Sequence, residues 1–224
     1  MSGLAVLREY RAHPSPRSLK KSVEYYTMRV LGPLIILLCT IVYVGYLVFW
    51  IGYLFFRSGG PLRLLGLFYI LIGLFFLFIE LFTLAKTIFG DIGTLESVLQ
   101  DQEMRDRIDS EVLIGLPLCN KCHLPKPERC HHCSVCNKCN LRLDHHCPAV
   151  GICITVRNQQ PFLCVLAWGM RSLGFVFLTA LVKVFIKTQT PIEYALDGFV
   201  GVSALVLSVM LWFLFRDQIT GIEL

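Results

Sequence analysis

Between Cys119 and Cys153 lie eight of the ten cysteines and five of the six histidines of a 224-residue chain. The segment reads CNKCHLPKPERCHHCSVCNKCNLRLDHHCPAVGIC. Its ligand pattern is Cys119-x2-Cys122, His132-Cys133-x2-Cys136-x2-Cys139, His146-Cys147 and Cys153. Zinc takes four Cys or His ligands, and a CxxC pair grips one ion from a tight turn. Overlapping pairs at Cys133, Cys136 and Cys139 cannot all serve one ion, so two interleaved Cys3His sites are expected. One division takes Cys119, Cys122, His132 and Cys139 for the first ion. Cys133, Cys136, His146 and Cys153 then serve the second. Spacing alone does not fix that pairing.

Such a division leaves Cys130, Cys147, His123, His131 and His145 over. A closed structural site has no use for an extra thiol, whereas a nucleophilic enzyme does. Cys147 follows Asp144-His145-His146. A neutral imidazole can take a thiol proton, and a carboxylate can orient that imidazole and stabilise its cation. The expected group is therefore Cys147 as nucleophile, His145 as base and Asp144 as orienting partner. Cys130 has no adjacent acid and reads as a spare, exposed or modifiable thiol. Cys39 and Cys164 read as packing residues.

The elements that must position this block are small. The loop is too short and polar to build its own apolar core, so bound ions are expected to supply folding energy. Pieces such as LPKPE and SVCNKCN suit short hairpins rather than helices. The chain around the block is different: 55% of residues are hydrophobic and the mean hydropathy is +0.62. That is too apolar for an ordinary soluble domain.

Four stretches are long enough to cross a bilayer, which takes about 20 apolar residues. They are Val30–Phe56, Leu62–Phe89, Phe162–Ile186 and Leu196–Phe215. The fold class expected is an all-α polytopic membrane protein of four transmembrane helices, with a small zinc-stabilised cysteine-rich domain of short β-hairpins between helices two and three. The corresponding segments are an N-terminal arm (1–29), a helical hairpin (30–89), the cysteine-rich domain (90–160), a second helix pair (161–215) and a short tail (216–224). No secretory signal, flexible linker or internal repeat is evident.

Basic residues concentrate in the arm (Arg8, Arg11, Arg17, Lys20, Lys21, Arg29) and around the block, and the side richer in Lys and Arg is expected to be cytosolic. Both termini and the cysteines then face a reducing compartment, where metal sites are favoured over disulfides. Arg171 and Glu80 fall within spans. Their expected arrangement is Arg171 turned into the bundle, paired with Glu80 or with helix carbonyls. Lys86 and Lys183 are expected to snorkel.

The arrangement resembles the DHHC protein S-acyltransferases, or palmitoyltransferases. The matching positions are Cys119, Cys122, Lys126, Pro127, Arg129, His132, Cys133, Cys136, Cys139, Asp144, His145, His146, Cys147, Cys153, Asn158 and Phe162. Asp91-Ile92-Gly93 is similar to the family's Asp-Pro-Gly, and Thr220-Gly221-Ile222-Glu223 to its Thr-Thr-x-Glu. The resemblance implies the two zinc sets given above. It also implies Cys147 as acyl acceptor, His145 as base and Asp144 as its partner. The activity implied is transfer of a long-chain acyl group from acyl-CoA, palmitoyl-CoA above all, through acyl-Cys147 to cysteines of substrate proteins near the membrane.

Burial of a palmitate-length tail is favourable by roughly 10 kcal/mol at about 0.8 per CH2, so the tail belongs among the spans. The CoA phosphates would meet basic residues, first Arg129 and Lys126, then Lys138 or Arg142. The bilayer, acyl-CoA, substrate proteins and an accessory subunit are the expected partners, and endoplasmic reticulum or Golgi the expected membrane. No nucleic-acid role is expected, because the block is tethered to spans at both ends and lacks a recognition-helix spacer. A RING-type ligase would need a final CxxC where Cys147 and Cys153 stand.

The chain departs from the family's usual run at Ala149, Gly151 and Ile152, in place of Trp and two Asn, and at Ile154-Thr155, Ile92 and Gly221. Those departures motivate the competing reading, a weak or inactive zinc-stabilised membrane adaptor of the same fold.

Overall fold

The computed structural model describes residues 19–57, 62–101, 115–185 and 190–220. The Arg57–Pro61 turn, the N-terminal arm to residue 18 and the Gly221–Glu223 part of the C-terminal motif lie wholly or mostly outside those residues. Four long helices are present: α1 (Leu19–Arg57), α2 (Leu62–Phe89), α4 (Gln159–Val184) and α5 (Pro191–Thr220). A six-residue helix, α3 (Leu95–Gln100), and four short strands lie between α2 and α4. The strands are β1 (His131–Cys133), β2 (Lys138–Asn140), β3 (Leu143–Cys147) and β4 (Ile152–Thr155). They pair antiparallel as β1–β2 and β3–β4.

All four long helices have the length and composition to cross a membrane. The second helix coincides with its apolar run, whereas the other three start earlier, and at α5 capping chemistry overrides hydropathy. For α5, Thr190-Pro191-Ile192-Glu193 forms a capping box: Glu193 N donates to Thr190 Oγ1 at 3.4 Å, and Glu193 Oε2 accepts from Thr190 N at 2.6 Å. Proline at the first helical position suits that start, so the helix opens at Pro191 rather than Leu196.

The chain separates into two compact units, Met1–Leu38 with Thr87–Gln160, and Cys39–Lys86 with Pro161–Leu224. The second unit is helical. Its outward face is apolar, with Phe49, Leu71, Phe78, Val202 and Phe213 all exposed, as expected where lipid is the solvent.

Small residues let its helices approach. A Cβ on Gly73 would lie 2.6 Å from Leu47 Cδ1, and one on Gly201 would lie 3.1 Å from Ala180 Cβ. Several polar groups inside are paired: Ser172 Oγ donates to Glu80 Oε2 at 3.3 Å, Ser208 Oγ to Met170 O at 3.1 Å, and Tyr46 OH to Asp197 Oδ1 at 3.4 Å.

Arg171 does not pair with Glu80. It is exposed, donates to Ala167 O at 2.9 Å and stacks over Trp168, so the helix carbonyl and an aromatic face carry its charge. Cys39 is exposed on α1 rather than packed inside.

The first unit holds the cysteine block. Thr94 caps α3, its side chain accepting from Ser97 N at 3.1 Å. Leu95 and Leu99 of α3 pack on Cys119, Cys130 and Cys139. Cys130, expected as a spare or exposed thiol, is 1% exposed and belongs to this small core. Its burial follows from α3, which covers the β1–β2 hairpin.

Candidate functional site

The two hairpins place one histidine and one cysteine directly opposite each other. In β1–β2 the cross-strand pair is His132 with Cys139, and in β3–β4 it is His146 with Cys153. Side chains of a cross-strand pair share a face, so each hairpin base offers two donors to one point. The other two donors come from the turn of the preceding hairpin, Cys119 and Cys122 for the first set, Cys133 and Cys136 for the second. In each set the four ligand atoms lie within 4.8 Å of one another.

The distances suit a tetrahedral ion. Cys122 Sγ and Cys139 Sγ lie 3.1 and 3.8 Å from His132 Nδ1. Cys136 Sγ and Cys153 Sγ lie 3.4 and 3.6 Å from His146 Nδ1, and 3.3 Å from each other. Zinc bonds of about 2.0 to 2.3 Å imply ligand separations of about 3.4 to 3.8 Å around a tetrahedron. Three sulfurs and one imidazole nitrogen converging in this way could bind zinc, and none of the cysteines is disulfide-bonded.

A repeat absent from the plain reading of the sequence underlies this geometry. His146 and Cys153 stand fourteen residues after His132 and Cys139, which stand fourteen after Leu118 and Pro125. Leu118 and Pro125 form an isolated antiparallel bridge, the ligand-free base of a third hairpin whose turn carries Cys119 and Cys122. The block is thus three tandem hairpins, and each metal set joins the turn of one to the base of the next. Few residues beyond the cysteines and histidines recur at this spacing, which is why the repeat is hard to see in the letters.

Cys147 sits at the end of β3, 8% exposed. Strand alternation sends His146 to one face and both His145 and Cys147 to the other. His145 Nδ1 lies 3.1 Å from Asp144 Oδ2, and the same imidazole interacts with the Cys147 thiol. Contact with Cys147, reinforced by Asp144, raises the His145 pKa against the opposing effect of burial. Burial of Cys147 opposes the thiolate. Hydrogen bonding to His145 and to the Val150 and Ala149 backbone outweighs it, so the thiol is held below its ordinary value. The three residues read from the sequence as a nucleophilic group are therefore brought together, and Cys147 belongs to neither metal set.

The β3–β4 hairpin is fixed from two sides. Asn158, almost fully buried, donates from Nδ2 to Cys153 O at 2.9 Å and accepts from Thr155 N at 2.7 Å. Thr155 donates to Ile92 O, and Arg157 pairs with Asp91. Asp91 also accepts from Gly93 N at 2.7 Å. Chiefly that backbone bond, with Arg157, holds the Asp91 carboxyl below its usual pKa range. Asp91 and Thr155 entered the sequence reading only in the family comparison, and neither they nor Arg157 were expected to brace the site. Hydrogen bonds between residues more than sixty positions apart leave no local signal.

On the other side α1 meets the turn after Cys147 backbone to backbone. A Cβ on Gly32 would fall 2.2 Å from Pro148 O, and one on Gly151 would fall 2.6 Å from Arg29 Cα.

Of the basic residues considered for phosphates, Lys138 is paired with Glu96 at 3.6 Å. Arg129 and Arg142 are exposed with positive φ, 61° and 45°, and Lys126 is half-buried, its backbone bonded to Pro117 O at 2.8 Å.

Residues 114–222 match the family model for DHHC palmitoyltransferase. Palmitoyltransferase ZDHHC15 of Homo sapiens is 48% identical over 69 residues, 31% of this chain and 20% of that protein. Palmitoyltransferase pfa3 of Emericella nidulans is 34% identical over 96 residues, 43% of this chain and 18% of that protein. A probable protein S-acyltransferase 1 of Arabidopsis thaliana is 36% identical over 101 residues, 45% of this chain and 30% of that protein. The chain thus spans between 18% and 30% of the length of these relatives. The resemblance read from the ligands is matched by that family model over residues 114–222, in a chain with four helices long and apolar enough to cross a membrane.

Proposed function

We propose that the chain is a protein S-acyltransferase that moves a long-chain acyl group from acyl-CoA to protein cysteines through Cys147. The observation that carries this reading is the Asp144–His145–Cys147 group, standing outside two complete ligand sets. Cys119, Cys122, His132 and Cys139 would hold one zinc ion, and Cys133, Cys136, His146 and Cys153 the other. Bound there, zinc supplies folding energy and fixes the hairpins.

His145 takes the thiol proton, and Asp144 steadies the resulting imidazolium. The Cys147 thiolate attacks the carbonyl carbon of the acyl-CoA thioester. A carbon–sulfur bond forms to Cys147, the bond to the CoA sulfur breaks, and CoA leaves as the thiol with the proton held by His145. In the second half, His145 takes the proton of a substrate cysteine. That sulfur attacks acyl-Cys147, and the Cys147 sulfur leaves and regains the proton.

The lipid-facing helices suit the acyl tail and the basic residues near the block suit the CoA phosphates, with Arg129 and Lys126 the first to test. Basic residues around the block favour a cytosolic block and cytosolic termini, in an endoplasmic reticulum or Golgi membrane. Protein substrates with membrane-proximal cysteines follow from the same layout, and an accessory subunit is a further candidate partner.

The test is incubation of the detergent-solubilised protein with palmitoyl-CoA and a cysteine peptide. Release of CoA with acylation of the peptide is expected from wild type and not from Cys147→Ser. Equal turnover by both would remove Cys147 from its role.

A further inference from the structure

The three hairpins share more than their bases. In each, the residue four positions after the first turn cysteine adopts the left-handed conformation: His123 at φ 55°, Asn137 at 55° and Gly151 at 69°. In each, that residue's N–H donates to the carbonyl of the first turn cysteine. His123 N to Cys119 O is 2.8 Å, Asn137 N to Cys133 O is 2.8 Å, and Gly151 N to Cys147 O is 2.9 Å. In the first two turns the residue before the left-handed position is the second cysteine of the metal pair, Cys122 or Cys136. In the third it is Val150, which is 2% exposed. The backbone of the second turn donates to its first sulfur, Cys136 N to Cys133 Sγ at 3.4 Å. In the third turn the Ala149 and Val150 backbone bears on the Cys147 sulfur.

We propose that the Cys147–Gly151 turn is a metal-binding knuckle kept without its metal. Cys147 stands where a first zinc ligand would, and Val150 stands where the second would. The turn's backbone then holds the Cys147 sulfur in position while Val150 denies it to an ion. The array accounts for the spare thiol: the third turn has no fourth hairpin to complete a set. Val150 is a positioning residue that acts on Cys147 by withholding a ligand. Gly151 suits this version of the turn for a second reason. It meets both the left-handed φ and the close approach of Arg29, where the side chain of Asn137 would collide. The importance of the turn rests on Cys147 being the acyl acceptor; its identity as a knuckle does not.

The experiment compares full-length wild type, Val150→Cys and Val150→Thr in detergent. Cys147 alkylation by iodoacetamide is followed by mass spectrometry with and without Cd2+, and zinc content is measured in parallel. A second thiolate on the same turn raises the local ligand concentration, so Cd2+ should slow Cys147 alkylation in Val150→Cys at least about tenfold more than in wild type. Excess dithiol should reverse the effect, and Val150→Thr should respond to Cd2+ as wild type does. The same cadmium response in all three proteins overturns the proposal. So does Val150→Cys that fails to retain the zinc content of wild type, because a cysteine fits this place in the other two turns. Wild type that takes up no acyl group while the cadmium result holds sinks the acyl-transfer reading and supports the knuckle.

Discussion

At the residue scale the proposed chemistry depends on one sulfur and its neighbours. Cys147 is buried, which disfavours a thiolate, yet His145 and the turn backbone reverse that balance. Removing the imidazole should therefore matter as general-base losses do. His145→Ala is expected to slow acyl uptake from palmitoyl-CoA by about 10² to 10⁴, measured by stopped-time thioester labelling, with zinc content unchanged. Asp144→Asn should cost less than His145→Ala, because Asp144 touches the imidazole and not the sulfur. An Asn variant slower than the Ala variant would give the carboxylate a role of its own. Adjacency in the sequence was enough to single these three residues out, and His145 and Cys147 share a face as i and i+2 of one strand. Cys130 was misread for the opposite reason. Its burial depends on α3 folding over β1–β2, a contact made by residues thirty positions upstream.

At the element scale the unit is the hairpin. The β1–β2 hairpin contributes its base to the first ligand set and its turn to the second, so the sets are joined mechanically but share no donor. Cys119→Ser is accordingly expected to lose one zinc per chain and keep the other, read by elemental analysis. Loss of both would mean that the first hairpin is required to form the second set.

The β3–β4 hairpin should be more sensitive to Asn158 than its position beyond the ligands suggests. Asn158→Ala would leave the Cys153 carbonyl and the Thr155 N–H without the Asn158 side chain, at about 1 to 3 kcal/mol for each buried group left unsatisfied. A lower melting temperature with a preserved Cys147 alkylation rate in the folded protein is expected.

The ligand spacing made a pair of metal sets legible in advance, although the donors were divided between them by the family resemblance and not by the spacing. It did not make the tandem hairpins legible, because His123, Asn137 and Gly151 share a backbone conformation and not a side chain.

At the scale of the whole molecule, the number of span-length helices follows from apolar length, whereas of their bounds only those of α2 coincide with the apolar run. Four runs were plain from composition, whereas the start of α5 is set by Thr190 and Glu193. Under the proposed orientation, four crossings put both termini on one side with the cysteine block. An epitope inserted between Ser58 and Pro61 should be protected from protease in sealed, cytosol-out vesicles, while the block between α2 and α4 is cleaved. Cleavage of both would overturn the proposed orientation.

The central claim is that eight donors hold two ions and one sulfur stays free to carry an acyl group. Native mass spectrometry of the detergent-released protein after exposure to palmitoyl-CoA tests it in a single spectrum. The expected mass is the chain with two zinc ions and one palmitoyl group, the latter lost on hydroxylamine treatment and absent in Cys147→Ser. A chain bearing three zinc ions and no acyl group, or an acyl group that persists in Cys147→Ser, would contradict the account.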